Sequence, residues 1–392
     1  AGRQPRHPVE PVGDEIDPGD ALVCLLSHPS LRSNEAVIRT YDHEVLGGTV
    51  VRPYDGVEMD GPADGTVIVP PGAQEADPLR GVAIGIGAAM MIGRHDCEAM
   101  AWAAVDEAVR NAVVAGADPD RLSLLENFAW GNPGNPEMLA RLVAACRGCH
   151  NAAIGYRAPF VSGKDSLYNE FVGPDGVADP VTPTLIITAV GIVDDVATIP
   201  AVGLMSSGND VWLVGPATGA LGGSHLDEVT GGDRGGHVPG ADPDAATRHR
   251  EVHRAMRSGL VVSAHDISEG GLAAAAAEWA FAGRRGVSIT VAEHHSSYEL
   301  FGEGLGRYLI EVRPEDADQL TEVAPSARRI GWVTEDDRLR IGTEIDISID
   351  DIGAAYRALP PEPPAPPETS ETPAAPEPPE APESAAAEGD DR

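Results

Sequence analysis

Strand-like and helix-like apolar segments alternate from about residue 31 to residue 358, and that alternation confines the chain to mixed α and β architectures. Residues 66–69 and 82–86 read as strands, 97–115 as a helix stopped by Gly116, 135–153 as a second helix, and 183–193 as a long apolar strand. After Ser206-Ser207-Gly208 the pattern restarts with a strand at 210–214. Helices follow near 244–258 and 269–282, strands near 287–291 and 308–312, and a last helix at 350–358. The order is mixed, without regular long crossovers, so the expectation is an α/β chain of the α+β kind. Its two domains are placed at 31–200 and 206–358. Residues 1–20 carry Pro, Gly and charge without periodicity, and the first 30 residues are expected to form a flexible lead-in. From Pro360 onward there are 11 Pro, nine acidic residues and one Arg, a composition that cannot bury a core and predicts a disordered acidic tail over 359–392.

Charge narrows the function. With 62 acidic against 28 basic residues the formal charge is −34, which argues against a nucleic-acid partner bound through a basic face. No run of about 18 apolar residues is present, so no membrane partner is expected. The first 30 residues lack the apolar stretch of a secretory leader, and four Cys in 392 residues do not make a disulfide framework. The expected compartment is the cytoplasm. Arg occurs 27 times and Lys once, at Lys164, so that position calls for a chemical reason.

Several attractive motifs fail on their chemistry. Cys146-Arg147-Gly148-Cys149-His150 has the spacing of a haem attachment site but lies in an Ala-rich helical pattern, where free Cys packs as a small apolar residue. His249 and His253 are four apart, yet Arg250 stands where a metalloprotease needs Glu. Gly163-Lys164 lacks the earlier Gly of a P-loop, and Asp165 replaces the Ser or Thr that would bind magnesium.

Four runs dense in Gly, Asp and small polar residues survive: Gly61-Pro62-Ala63-Asp64-Gly65, 105–111, 161–170 and 264–271. Glu107 and Asn111 are four apart and share a helix face. Asp64 and Asp266 stand at strand ends near Gly, where backbone can approach a ligand closely. Oxygen donors of this kind suit magnesium and the phosphates of a nucleotide, and three uncompensated carboxylates would repel phosphate unless a cation were bound. Each also has a structural alternative: helix surface for Glu107, turn or N-cap for Asp64 and Asp266, a local turn hydroxyl for Ser166.

Four runs in order carry a family resemblance. They are Tyr41-Asp42-His43-Glu44-Val45, Glu126-Asn127-Phe128-Ala129-Trp130-Gly131-Asn132-Pro133, Phe160-Val161-Ser162-Gly163-Lys164-Asp165-Ser166-Leu167 and His265-Asp266-Ile267-Ser268-Glu269-Gly270-Gly271. Together they resemble phosphoribosylformylglycinamidine synthase, of the aminoimidazole ribonucleotide synthetase superfamily, over about residues 21–356. The resemblance is to the second of two internal copies, each an ATP-binding-type domain followed by an α/β domain. It implies ATP-dependent conversion of formylglycinamide ribonucleotide to formylglycinamidine ribonucleotide with glutamine-derived ammonia in purine biosynthesis, with a first-half synthetase chain and a glutaminase subunit as partners. The first copy's Ser-Glu-His-Cys run, with its expected catalytic His, is absent from this sequence, so no catalytic residue is assigned. By the same resemblance Asp64, Glu107, Asn111 and Asp266 would ligate Mg2+, and Ala63 and Ser268 would contact the ATP or ADP. Gly163 and Lys164 would touch nucleotide, and Ser166 the ribonucleotide substrate. Alternatives are a subunit that only holds nucleotide structurally, or another superfamily member acting as a homodimer.

Overall fold

The computed structural model describes residues 16–359 except 42, 45, 74–76, 175, 217–219, 232–237 and 291–299. The expected tail, the first half of the lead-in, and positions 42 and 45 of the Tyr41 run therefore lie outside the described residues. No described helix is long and apolar enough to cross a membrane.

The first half is built on a six-stranded sheet in the order Thr49–Val51, Gly65–Ile68, Gly81–Ala88, Thr184–Val193, Leu122–Ala129 and Phe160–Ser166. All pairs are antiparallel except the last, which is parallel. One face is covered by the central helix Cys97–Val114. Asp96 starts this helix by accepting from the backbone N–H groups of Glu98 and Ala99 at 2.8 and 3.1 Å, and an Ala-rich sequence propagates it. The helix lies unusually close to the sheet because Gly85 and Gly87 face it. A Cβ at Gly87 would stand 2.2 Å from the Ala104 carbonyl oxygen, and one at Gly85 would stand 2.4 Å from that of Ala108. The second long helix, Pro136–Tyr156, packs beside the central one.

The second half is a seven-stranded sheet in the order Val261–Asp266, Tyr308–Val312, Asp210–Val214, Ala327–Thr334, Gly286–Ile289, Arg338–Ile341 and Ile345–Ser348. Strand Asp210–Val214 is buried throughout: Val211 and Leu213 enter one core, Trp212 and Val214 the other. The first of these cores is closed by helices Gly271–Gly283 and Ile349–Tyr356. The second is shared with the first half, so the central helix is packed between its own sheet and the region around Ala245–Arg257 and Val261–Asp266. Two mixed, largely antiparallel sheets with helices packed on them make the α+β arrangement expected from the sequence.

The lead-in requires a correction. Residues Pro18–Leu26 form a helix capped by Asp17, with Pro18 in its first turn, and Ala21, Leu22, Leu25 and Leu26 are fully buried in the second-half core. Their i, i+1, i+4, i+5 spacing makes one apolar face, which the surrounding Pro, Gly and Asp residues obscure.

Candidate functional site

The seam between the halves gathers a dense cluster of buried charged residues. Asp64 sits in the turn leading into Gly65–Ile68, its side chain 5 % exposed. Its Oδ1 lies 2.6 Å from His265 Nδ1, and its Oδ2 accepts the backbone N–H of Asp266 at 3.1 Å. A residue at the start of the first sheet's second strand is thereby locked to the end of strand Val261–Asp266. Ligand atoms of Asp64, His265 and Asp266 all lie within 4.8 Å of one another. The other ring nitrogen of His265 is 3.3 Å from Glu278 Oε2, so both nitrogens are engaged with carboxylates and the ring positions Asp64.

From the opposite side the central helix contributes Asp106, Glu107, Arg110 and Asn111. Arg110 is buried; its Nε donates to Asp266 Oδ2 at 3.3 Å, one terminal nitrogen to Ser268 Oγ at 2.7 Å, and the other to Asp106. Ser268 in turn donates to Asp266. Asp106 also accepts from Tyr156 Oη at 2.7 Å and from the backbone N–H of Gly306 at 2.9 Å, and it lies 3.2 Å from His249 Nε2. Burial alone would raise the Asp106 carboxyl, but the Arg110 charge and the bonds from His249 and Tyr156 hold it well below the usual carboxylate range.

Glu107 accepts the backbone N–H of Ala88 at 2.8 Å and lines a cleft of about 400 Å3, its mouth included, with Arg110, His225, Ser268, Glu269 and Glu303. Burial, reinforced by Glu269 and Asp266, pushes Glu107 well above its ordinary value. Burial and the Asp64 charge push Asp266 up to about 6 despite Arg110. Glu269 is raised to about 7 by burial and by Glu303, with His225 only partly offsetting them. Burial is the largest cause of each shift, and neighbouring carboxylates add to it. Asn111 donates its amide to Ile86 O at 2.8 Å, which leaves its buried Oδ1 without a partner.

The structure thus brings together Asp64, Asp266 and Ser268, with Glu107 and Asn111 on the facing helix, although Glu107 lies outside the tight Asp64–His265–Asp266 group. Ala63 is half-buried beside Asp64, its N–H donating to Pro53 O at 3.1 Å. Gly163, Lys164 and Ser166 are elsewhere. They lie on the far edge strand, four strand spacings or about 19 Å from the strand that follows Asp64. There Lys164 is exposed and hydrogen-bonded to Ser166, and Gly163 packs against the Glu126 carboxylate. Sequence reasoning missed Arg110 and gave His265 no role. The available signal was a lone Arg four residues after Asp106 in an otherwise apolar helical stretch.

Residues 80–193 match the family described as AIR synthase related protein, N-terminal domain, and residues 206–344 match AIR synthase related protein, C-terminal domain. Among curated proteins, the phosphoribosylformylglycinamidine synthase subunit PurL of Synechococcus sp. (strain CC9902) is 34 % identical over 374 residues, covering 88 % of this chain and 47 % of that protein. The PurL subunit of Rhodopseudomonas palustris (strain TIE-1) is 33 % identical over 357 residues, covering 88 % and 45 %. The chain spans about half the length of the curated relatives it matches. Among solved structures, Thermotoga maritima PurL complexed with FGAR superposes with a TM-score of 0.64 at 14 % identity, covering 86 % of this chain and 54 % of that one. The T. maritima PurL complex with AMPPCP gives 0.60 at 15 % identity, covering 85 % and 50 %. With both halves matched by one family, and with this identity to PurL subunits, the chain belongs to the AIR synthase superfamily as a PurL-type member.

Proposed function

We propose that this chain acts as the second half of a phosphoribosylformylglycinamidine synthase, with a magnesium nucleotide held at its seam. The reaction joins formylglycinamide ribonucleotide and glutamine-derived ammonia at the expense of ATP, giving formylglycinamidine ribonucleotide, ADP and phosphate in the cytoplasm. The observation that carries this reading is the oxygen-rich pair of Asp64 and Asp266, faced across the seam by Glu107 and the partnerless Oδ1 of Asn111. Four hard oxygen donors, with the Glu107 and Asp266 carboxyls raised by burial and by neighbouring carboxylates, suit a divalent cation. A magnesium ion held by Asp64, Glu107, Asn111 and Asp266 would bridge the protein to nucleotide phosphates and neutralise their charge. Arg110 fixes the orientation of Asp266 and Ser268, His265 fixes Asp64, and Ala63 and Ser268 face the nucleotide.

Gly163, Lys164 and Ser166 serve a different place: exposed on the edge strand, they reach into the site of a first-half synthetase domain, where Lys164 meets phosphate and Ser166 the ribonucleotide. The uncovered face of the first sheet supports such pairing, since Ile86 and Ile186 on it are 54 % and 37 % exposed. The distance between Lys164 and the seam favours, for the seam itself, a nucleotide retained structurally while chemistry proceeds next to the edge strand. The test is formylglycinamide-ribonucleotide-dependent ATP hydrolysis by the chain combined with a first-half synthetase and a glutaminase. K164A is expected to lower turnover at least tenfold while the seam still binds MgADP. Wild-type turnover by K164A refutes the role given to the edge strand, and full turnover by this chain alone refutes the half-enzyme reading.

A further inference from the structure

Gly304 and Leu305, which wall the carboxylate cleft, also line a second cavity of about 650 Å3, its mouth included, together with Pro216, Pro239, Asp242 and Arg307. Arg307 is 1 % exposed. One of its terminal nitrogens donates to Gly302 O at 2.7 Å, while its Nε has no partner. Asp242 is already paired with Arg248, whose Nε is bound to Gly306 O at 2.7 Å. Burial, reinforced among the described residues by the charges of Arg110, Arg328 and Arg248, lowers Arg307 to about 9. A buried guanidinium with no carboxylate bonded to it among the described residues is costly unless an anion completes it. Of the other described walls, Ala220, Pro243 and Leu305 are apolar, and Gly240 and Gly304 let backbone come close to an occupant. The space exceeds that of an inorganic anion and suits an anionic head on a small organic body.

We propose that this cavity is a binding site for a small phosphate monoester, with the fork of Arg307 holding its phosphate group. It is distinct from the cation cluster at Asp64 and Asp266, and it does not depend on the reaction proposed above.

The experiment is calorimetric titration of the full chain with ribose 5-phosphate, inorganic phosphate and ribose, in chelator so that no divalent cation occupies the cluster. Saturable one-site binding of ribose 5-phosphate is expected, tighter than inorganic phosphate, with no binding of ribose. R307M should weaken it at least tenfold, and phosphate esters should raise the melting temperature of the wild type but not of R307M. Ala241 lines the same cavity at an exposed position, so A241E places a competing carboxylate there without disturbing the core and should also weaken binding at least tenfold. The proposal is overturned by absence of saturable binding, by wild-type affinity in A241E, or by inorganic phosphate binding as tightly as the ester.

Discussion

The Asp106 network predicts a large and specific loss of stability on D106A. Asp106 is fully buried and compensates Arg110, which is itself 4 % exposed. Removing the carboxylate strips Arg110 of its main partner, leaving Asp266 at 3.3 Å, and it leaves Gly306 N–H and the Tyr156 hydroxyl without an acceptor. Breaking a buried ion pair on one side costs about 3–5 kcal/mol, and each orphaned donor about 1–3 kcal/mol, contributions that overlap because the groups share one site. We expect a total near 3–5 kcal/mol, a large share of the roughly 5–15 kcal/mol that stabilises a typical domain. Urea unfolding followed by Trp fluorescence reads this as a shift of the midpoint at constant slope. The control is D194A, which removes an exposed pair with Arg121 at 2.8 Å and should cost less than about 1 kcal/mol. A loss below about 1 kcal/mol for D106A, or one equal to that of D194A, refutes the assignment of the seam's stability to this network.

Other outcomes follow from the same geometry. Burial opposes protonation of His225, but Glu303 at 3.2 Å, with Glu269 and Glu228, overrides it and pushes the imidazole up to about 9. Because the folded value lies above the unfolded one of about 6.5, the stabilisation is complete below pH 6.5. It is lost as pH rises through about 9, a decline of roughly 3 kcal/mol. E303Q should flatten that decline, and an unchanged pH profile in E303Q would contradict the pairing. G87A should push the central helix away from the sheet, since its Cβ would meet the Ala104 carbonyl at 2.2 Å. The expected cost is about 1–3 kcal/mol by overpacking, together with weaker divalent-dependent nucleotide binding because Glu107 and Asn111 ride on that helix. Binding unaffected by G87A in folded protein would show that helix height does not set the site.

Local patterns specified much of the fold. Strands Asp210–Val214 and Tyr308–Val312 begin and end where their apolar runs do, and the central helix runs from Cys97 to Val114 against an expected 97–115. Helix Pro18–Leu26 was hidden because its cap and first turn, Asp17-Pro18-Gly19-Asp20, have the composition of a loop. Strand Phe160–Ser166 was hidden for a related reason. Its middle residues are exposed at a sheet edge, so Gly, Lys and Asp replace the alternation that marks a half-buried strand. Within the site, Glu107 and Asn111 follow from helical spacing, and Asp64 and Asp266 from their places at strand ends. What joins them does not appear locally. The bonds from Asp266 N to Asp64 and from Arg110 to Ser268 close over 202 and 158 residues, and only the packed fold reveals that Arg110 is buried against Asp106 and Asp266 rather than lying on a solvated helix face.

The most direct test of the seam as a divalent nucleotide site is calorimetric titration of ADP into the folded chain with magnesium and with chelator, for wild type, D64N and D266N. Magnesium-dependent binding in the wild type, weakened at least tenfold in both variants while they remain folded, is the predicted result, because each substitution removes a carboxylate from the proposed cation site. ADP binding of equal affinity in chelator, or binding unchanged in D64N and D266N, would contradict it.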